Sequence, residues 1–235
     1  MLEVHDRETG EDLYPRFRQA WQELPESFEP LTRRVFDAFT LFPIPGDEHL
    51  CEYLPWMSDA VEKPWEKFDL SLYDWAYFSK HRDQMWQQLK QDMRAGDPSA
   101  DYIHTHSEGA VEVIEAILTD SNLLWEAVNI PNAGLIDGLP EDAIVEVPAI
   151  INHSGIHGQP VGFLPKGITA LLQREVVTSQ LCIDSVVKGE RTLALQSLLL
   201  DPNVTDLDQA EDVLEQILLN SAYFLPQFFV NEETP

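Results

Sequence analysis

Asp47-Glu48-His49-Leu50-Cys51-Glu52-Tyr53 is the densest run of chemically capable side chains in the sequence, and it follows directly on Phe42-Pro43-Ile44-Pro45-Gly46. Asp47, Glu48, His49, Cys51 and Glu52 are all potential metal ligands. Carboxylate, imidazole and thiolate together suit a divalent transition ion, and Asp47 or Tyr53 could take a proton from a substrate carbon. The spacing argues against a self-contained site. On a helix Glu48 and Glu52 share a face while Asp47, His49 and Cys51 diverge, so one short helix cannot aim them all at one ion. A polar helix start with one or two functional members is the favoured reading.

Two histidine pairs stand elsewhere, His104 with His106 and His153 with His157 in Asn152-His153-Ser154-Gly155-Ile156-His157-Gly158. Either pair could bind zinc. No cysteine or carboxylate stands at a zinc-ligand spacing from them, so hydrogen-bonded surface histidines are favoured. Gly155, Gly158 and Gly162 do not make a G-x-G-x-x-G, and the chain has neither a P-loop nor a G-x-S-x-G. Ser107 reads as a helix cap.

The elements that must position these residues follow from periodicity and turn chemistry. Leu2 to Asp6 alternates like a strand entering a turn at Glu8-Thr9-Gly10-Glu11. Leu13 to Phe42 is helical in two segments divided at Pro25 and Pro30, and the Pro/Gly loop then presents the polar cluster from a loop or a helix start. Ser58 to Arg94 reads as one or two helices, with a hinge at Gly96-Asp97-Pro98. After Ser107 comes a helix whose apolar positions Ala110, Val111, Val113, Ile114, Ile117 and Leu118 imply burial. Leu124 to Ile130 and Ala143 to Val147 read as strands around turn-rich segments. Helices fill Gly167 to Leu200 and break at Asp201-Pro202, and a last helix starts at Thr205 to Asp208, which resembles a capping box. Beginning inside an alternating run suggests a domain that has lost what preceded it.

The bulk numbers narrow the partners. The 235 residues can close one sizeable core. Fifteen Lys and Arg against 41 Asp and Glu give a charge of -26, which would repel a phosphate backbone or an anionic membrane. Cys51 and Cys182 lie outside any C-x-x-C, as in a reduced, cytoplasmic protein, and no apolar run is long enough for a membrane span.

Several segments together resemble glycoside hydrolase family 4. Leu2-Glu3-Val4 and Gly10-Glu11-Asp12-Leu13-Tyr14-Pro15 are similar to the segment that follows that family's N-H-x-x-W motif. Asp47-Glu48-His49, Glu52-Tyr53 and Pro55-Trp56 resemble the E-H-x-x-E-Y-x-P-W stretch of its α-galactosidase branch. Asn129-Ile130-Pro131-Asn132, Gly134-Leu135-Ile136, Leu139-Pro140, Val145-Glu146-Val147-Pro148, Gly155-Ile156, Gly162, Leu164-Pro165 and Leu200-Asp201-Pro202 match in order. Each match alone is weak, and their order over most of the chain makes the signal strong.

The resemblance implies an α+β fold like the carboxy-terminal domain of lactate and malate dehydrogenases. It would be a mixed sheet with packed helices, one domain over residues 1–235 with an aromatic-rich helical insertion at about 54–100. The NAD-binding Rossmann half is absent from this reading. The implied reaction is NAD- and Mn2+-dependent, with another divalent metal as the alternative ion. It runs by oxidation of a sugar, elimination of the aglycone, addition of water and reduction, an exception to the two-carboxylate mechanism. Asp47 is then the catalytic candidate and the one nearest a metal. Glu48, His49, Glu52, Tyr53, Asn129 and Asn132 are substrate-binding candidates, with no cofactor-binding residue and no complete metal site in the chain.

The implied partners are a glycoside, a separately encoded NAD-binding half and further copies of the chain, with no nucleic acid and no membrane. The isolated chain would be inactive. The rival reading is a non-catalytic remnant that oligomerises or binds sugar, and a local metal hydrolase built on Asp47 to Glu52 comes third.

Overall fold

The computed structural model describes residues 3–6, 8–59, 61–71, 75–96 and 109–229. The chain forms two compact units, one from Met1–Ser71 with Phe163–Pro235 and the other from Leu72–Gly162.

In the first unit the prolines act as expected. Helix α1 (Tyr14–Glu23) ends before Pro25, and α2 (Pro30–Phe39) carries Pro30 at its first position, where the missing N–H costs nothing. Phe42 closes an aromatic cluster between them, with ring centroids 4.6 Å from Trp21, 5.0 Å from Phe17 and 5.4 Å from Phe36, all near perpendicular. These are the edge-to-face contacts that ring quadrupoles favour. The other face of α2 sends Leu31 and Val35 into a core with Leu50, Leu54, Met57 and Trp65, joined by Phe39 and Leu171. Leu50 comes from α3 (Gly46–Glu52), so this core seats the polar cluster's own helix.

Leu2 to Asp6 was expected as a strand. Among its described residues only a single bridge forms, His5 to Asp12, around a turn in which Asp6 accepts hydrogen bonds from the amides of Glu8 and Thr9. Side-chain acceptors here satisfy the amides that a ladder would have used.

The second unit is built on an antiparallel sheet in the order β1-β3-β4. Strand β1 (Leu123–Pro131) pairs with β3 (Ile144–Asn152), which turns through a tight hairpin into β4 (Gly155–Gly158). Val145, Val147, Ala149 and Ile151 are buried while Ile144 and Glu146 face outward, the period of two expected of a half-covered strand. A short ladder of β2 (Ile136–Asp137) with β5 (Gly162–Phe163) lies apart from this sheet.

Helix α4 (Trp75–Ala95) is a long helix in the aromatic-rich stretch, but the 3-10 turn Pro55–Met57 comes before Ser58, and the described residues 58–59 and 61–71 form no α-helix and carry only the 3-10 turn Pro64–Phe68. Pro64 and the left-handed Lys63 and Asp69 hold that segment out of the α conformation. Asp97, Pro98 and Ser107 lie outside the described residues, as do His104 and His106. Helix α5 (Ala110–Thr119) starts at the left-handed Gly109, where a Cβ would meet the Trp125 ring. It was expected to be buried, yet only Ala116 is, and Val111, Ile114 and Leu118 are exposed. It packs on β3, and its apolar character runs further round the helix than its buried face does.

Back in the first unit, α6 (Lys166–Lys188) and α7 (Arg191–Leu200) are divided at Gly189, a break that the sequence reading placed only at Asp201. Gly189 has φ +69°, and a Cβ there would lie 2.4 Å from the carbonyl oxygen of Gln227, so only glycine fits. Helix α8 (Leu207–Asn220) buries Ala210, Leu214 and Leu218 of the apolar face that its spacing implies, while Val213 and Ile217 of the same face are exposed. Its cap is Asp206, whose carboxylate accepts from the Gln209 amide at 2.8 Å, rather than Thr205.

Candidate functional site

The polar cluster is held at both ends. Gly46 takes a left-handed φ of +77° that turns the chain out of the Pro43/Pro45 loop into α3. Asp47 is the next residue and is 5% exposed. Its Oδ2 accepts from the Leu31 amide at 2.9 Å and its Oδ1 from the Thr32 amide at 2.6 Å, so one carboxylate satisfies two orphan donors of α2. In return the Asp47 amide donates to Oε2 of Glu29 at 2.6 Å, and Glu29 is the residue that precedes α2. Two helix starts thus exchange carboxylates, with negative charge at the positive end of each helix.

At the other end Arg174 of α6 donates to the Tyr53 carbonyl at 2.6 Å while pairing with Glu175, and Asn203 donates to the Glu52 carbonyl at 3.1 Å. Those are carbonyls that a helix end leaves without partners.

The helix so held presents its remaining polar residues to solvent. Glu48 is exposed, and His49 Nδ1 lies 3.3 Å from Glu52 Oε2 with both side chains more than half exposed. Tyr53 and Trp56 are about half exposed at the same end, and Trp56 stacks on Phe39 at 6.3 Å. Cys51 is half-buried against the Leu31 core, and burial, followed by the charges of Glu52 and Asp47, pushes its thiol above the ordinary range. A protonated thiol is a poor metal ligand. Among the described residues no three His, Cys, Asp or Glu side chains are grouped to hold a metal ion.

Asp47, the sequence candidate for a reacting proton or a metal, has both its oxygens accepting from backbone amides in the interior. Asn132, a substrate-binding candidate in the sequence, is fully buried, its Nδ2 donates to the carbonyls of Ile136, Leu139 and Pro140, and its Oδ1 accepts from the Ile136 amide at 2.7 Å, a pattern that ties a loop together. Asn129 is exposed on β1 opposite Glu146. Asn129 and Asn132 belong to the second unit and Asp47 to Tyr53 to the first.

His153 and His157 do not converge on an ion. His153 pairs with Asp120 at 2.6 Å, and His157 bonds Ser154 at 2.7 Å on the β3–β4 turn. The ring and amide hydrogen bonds of His153 hold the Asp120 carboxyl below the usual carboxylate range.

Sequence reasoning missed Glu29, Arg174 and Asn203. Arg174 had a signal, because it is the lone cation in the long apolar middle of α6. Glu29 and Asn203 had none, since their partners lie 18 and 151 residues away.

A mixed helical and antiparallel domain with an acidic, histidine-bearing helix start is the class of chain that the fold defines. The family model for the family 4 glycosyl hydrolase C-terminal domain matches residues 1–204, and the chain belongs to that family. An α-glucosidase of Erwinia rhapontici is 31% identical over 177 residues, which is 75% of this chain and 35% of the relative. An α-galacturonidase of Thermoanaerobacterium saccharolyticum is 28% identical over 216 residues, 85% of this chain and 43% of the relative. Among solved structures, a Bacillus subtilis chain superposes with a TM-score of 0.76 at 25% identity, covering 92% of this chain and 52% of that one. A 6-phospho-α-glucosidase from gut microorganisms, in complex with NAD and Mn2+, superposes at 0.69 and 21% identity, covering 94% and 51%. The chain therefore spans about half or less of the length of the relatives it matches. The mixed α and β architecture is the one that the resemblance implied.

Proposed function

We propose that this chain supplies the carboxy-terminal half of an NAD- and divalent-metal-dependent glycosidase acting on α-glycosides, with manganese as the metal. The observation that carries the reading is the family match over residues 1–204, supported by the likeness to a chain that holds NAD and Mn2+. The named relatives are an α-glucosidase and an α-galacturonidase, which supports α-glycosides as the substrate class.

When bound, the nicotinamide would take and return a hydride while the metal ion polarises the oxidised sugar. The described residues do not fit either group alone, because they contain no clustered metal ligands and their main sheet is antiparallel throughout. No step is therefore assigned to this chain through them. Its own contribution is a wall of the sugar site. Glu48, His49 and Glu52 face the substrate from α3 and Tyr53 from its C-terminal cap, and Asp47 acts as a positioning residue that fixes where α3 points.

The test is an assay of the purified chain on nitrophenyl α-glucoside, α-galactoside and α-galacturonide with NAD, Mn2+ and a reductant. No turnover above blank is expected from the chain alone, and turnover is expected once a polypeptide carrying the family's nucleotide-binding half is added. Activity of the chain alone would refute the need for a second half. Silence of the reconstituted pair would favour a non-catalytic, sugar-binding module.

A further inference from the structure

Glu48, His49 and Glu52 are the ionisable side chains that α3 turns to solvent. The two carboxylates stand four residues apart, so they lie side by side on one helix face. The surrounding sequence does not balance them, because residues 35–62 hold six acids and no Lys or Arg. The arginines of the two helices that pack on α3 are engaged elsewhere. Arg174 of α6 donates to the Tyr53 carbonyl and pairs with Glu175, Arg33 of α2 donates to the carbonyls of Trp21, Leu24 and Pro25, and Arg34 lies over the Phe68 ring.

An ionised carboxylate only accepts hydrogen bonds, so it fits a ligand that brings donors. The hydroxyls of a neutral sugar are such donors. The carboxylate of a uronide or the phosphate of a sugar phosphate is not, and against Glu48 or Glu52 it would set acceptor against acceptor and charge against like charge. A monosaccharide ring is smaller than the screening length in physiological salt, about 8 Å. A negative charge carried anywhere on a sugar that touches this wall is therefore felt by both carboxylates.

We infer that α3 makes the site selective for neutral glycosides, with Glu48 and Glu52 accepting from the hydroxyls of an uncharged hexose and repelling a sugar that bears a carboxylate or a phosphate. The inference rests on the reading of α3 as a wall of the sugar site, and it decides between the α-glucosides and α-galacturonides that this reading leaves open. Two like charges each about 6 Å from a third, in a site open to water, lower its affinity by about tenfold. Glu48 and Glu52 are thus specificity-determining residues whose effect is on binding.

The experiment titrates the full chain with methyl α-galactoside and with methyl α-galacturonide by saturation-transfer NMR, and measures kcat/KM for the nitrophenyl counterparts on the chain paired with a polypeptide carrying the family's nucleotide-binding half. The neutral sugar is expected to bind about tenfold more tightly than the uronide. Glu48→Gln/Glu52→Gln, checked for fold by far-UV circular dichroism, is expected to bring the two affinities within about threefold of each other, and added salt to narrow the wild-type ratio. Equal or tighter binding of the uronide, a ratio that the double variant leaves unmoved, or no binding of either sugar would overturn the inference. The two readings fail separately. Preferred turnover of the α-galacturonide by the pair would overturn the charge selection and leave the glycosidase reading standing, whereas a pair silent on both substrates, with a chain that still binds the neutral sugar, would overturn the glycosidase reading alone.

Discussion

The α2–α3 corner and helix α4 are opposites built from similar material. Helix α2 has ten residues and buries Leu31, Thr32, Val35 and Phe36, whereas α4 is twice as long and buries none of its described side chains. Both carry apolar stripes at helical spacing. The corner differs in that its helix ends are closed by carboxylates from a neighbouring segment, which fixes two helices to each other as well as to the core. An apolar stripe therefore determines which face a helix offers, and whether that face is covered depends on what the rest of the chain brings to it.

Asp47→Ala should have the largest effect on this contrast. Removing a buried carboxylate that accepts two amides leaves both donors without partners, at a cost of about 3 kcal/mol, read as a lower midpoint in urea unfolding. Asp47→Asn keeps one acceptor oxygen and should cost about half as much. If Asp47→Ala instead left stability intact, the exchange of carboxylates would not be what fixes the corner.

Asp206→Ala removes a single exposed cap from α8 and should cost about 1 kcal/mol. Equal losses at Asp47 and Asp206 would mean that burial adds nothing to a cap. Trp86→Ala should move stability by no more than about 0.5 kcal/mol. A larger loss would show that α4 is packed within its own chain.

The smallest effect concerns pH. His153 hydrogen bonds depress the Asp120 carboxyl, so the stability that the pair contributes is present above the unfolded-state pKa and is lost as pH falls through the lower folded value. In an NMR titration His153→Ala should move the Asp120 midpoint upward, toward that of an ordinary aspartate. An unchanged midpoint would remove His153 as the cause.

Much of the architecture was legible in order of appearance. Pro25, Pro30 and the Pro43-Ile44-Pro45-Gly46 loop punctuate the helices as read, because proline acts on its own backbone and needs no distant partner. The strands at Leu124 to Ile130 and Ala143 to Val147 were legible from β-branched alternation and flanking turns. The break at Gly189 was not, since its requirement for glycine comes from the Gln227 carbonyl, 38 residues further on.

The candidate site was legible as a location and less so as a set of roles. Asp47 through Glu52 do share one short helix, with Tyr53 as its C-cap. Which of them reach solvent and which are taken up by the fold depended on groups far away in the chain, namely Leu31, Thr32, Arg174 and Asn203. Asn132 shows the same thing within a loop, where four hydrogen bonds to groups four to eight residues on hold the side chain in the interior.

By itself the sequence determined the family through its ordered motifs, and most of the helices, the two long strands and the acidic charge through local periodicity, backbone preference and formal charge. Tertiary structure alone decided that Asp47 lies inside and Glu48 outside. Adjacent carboxylates have the same chemistry, and only the amides that folding brings within 3 Å of one of them tell the two apart.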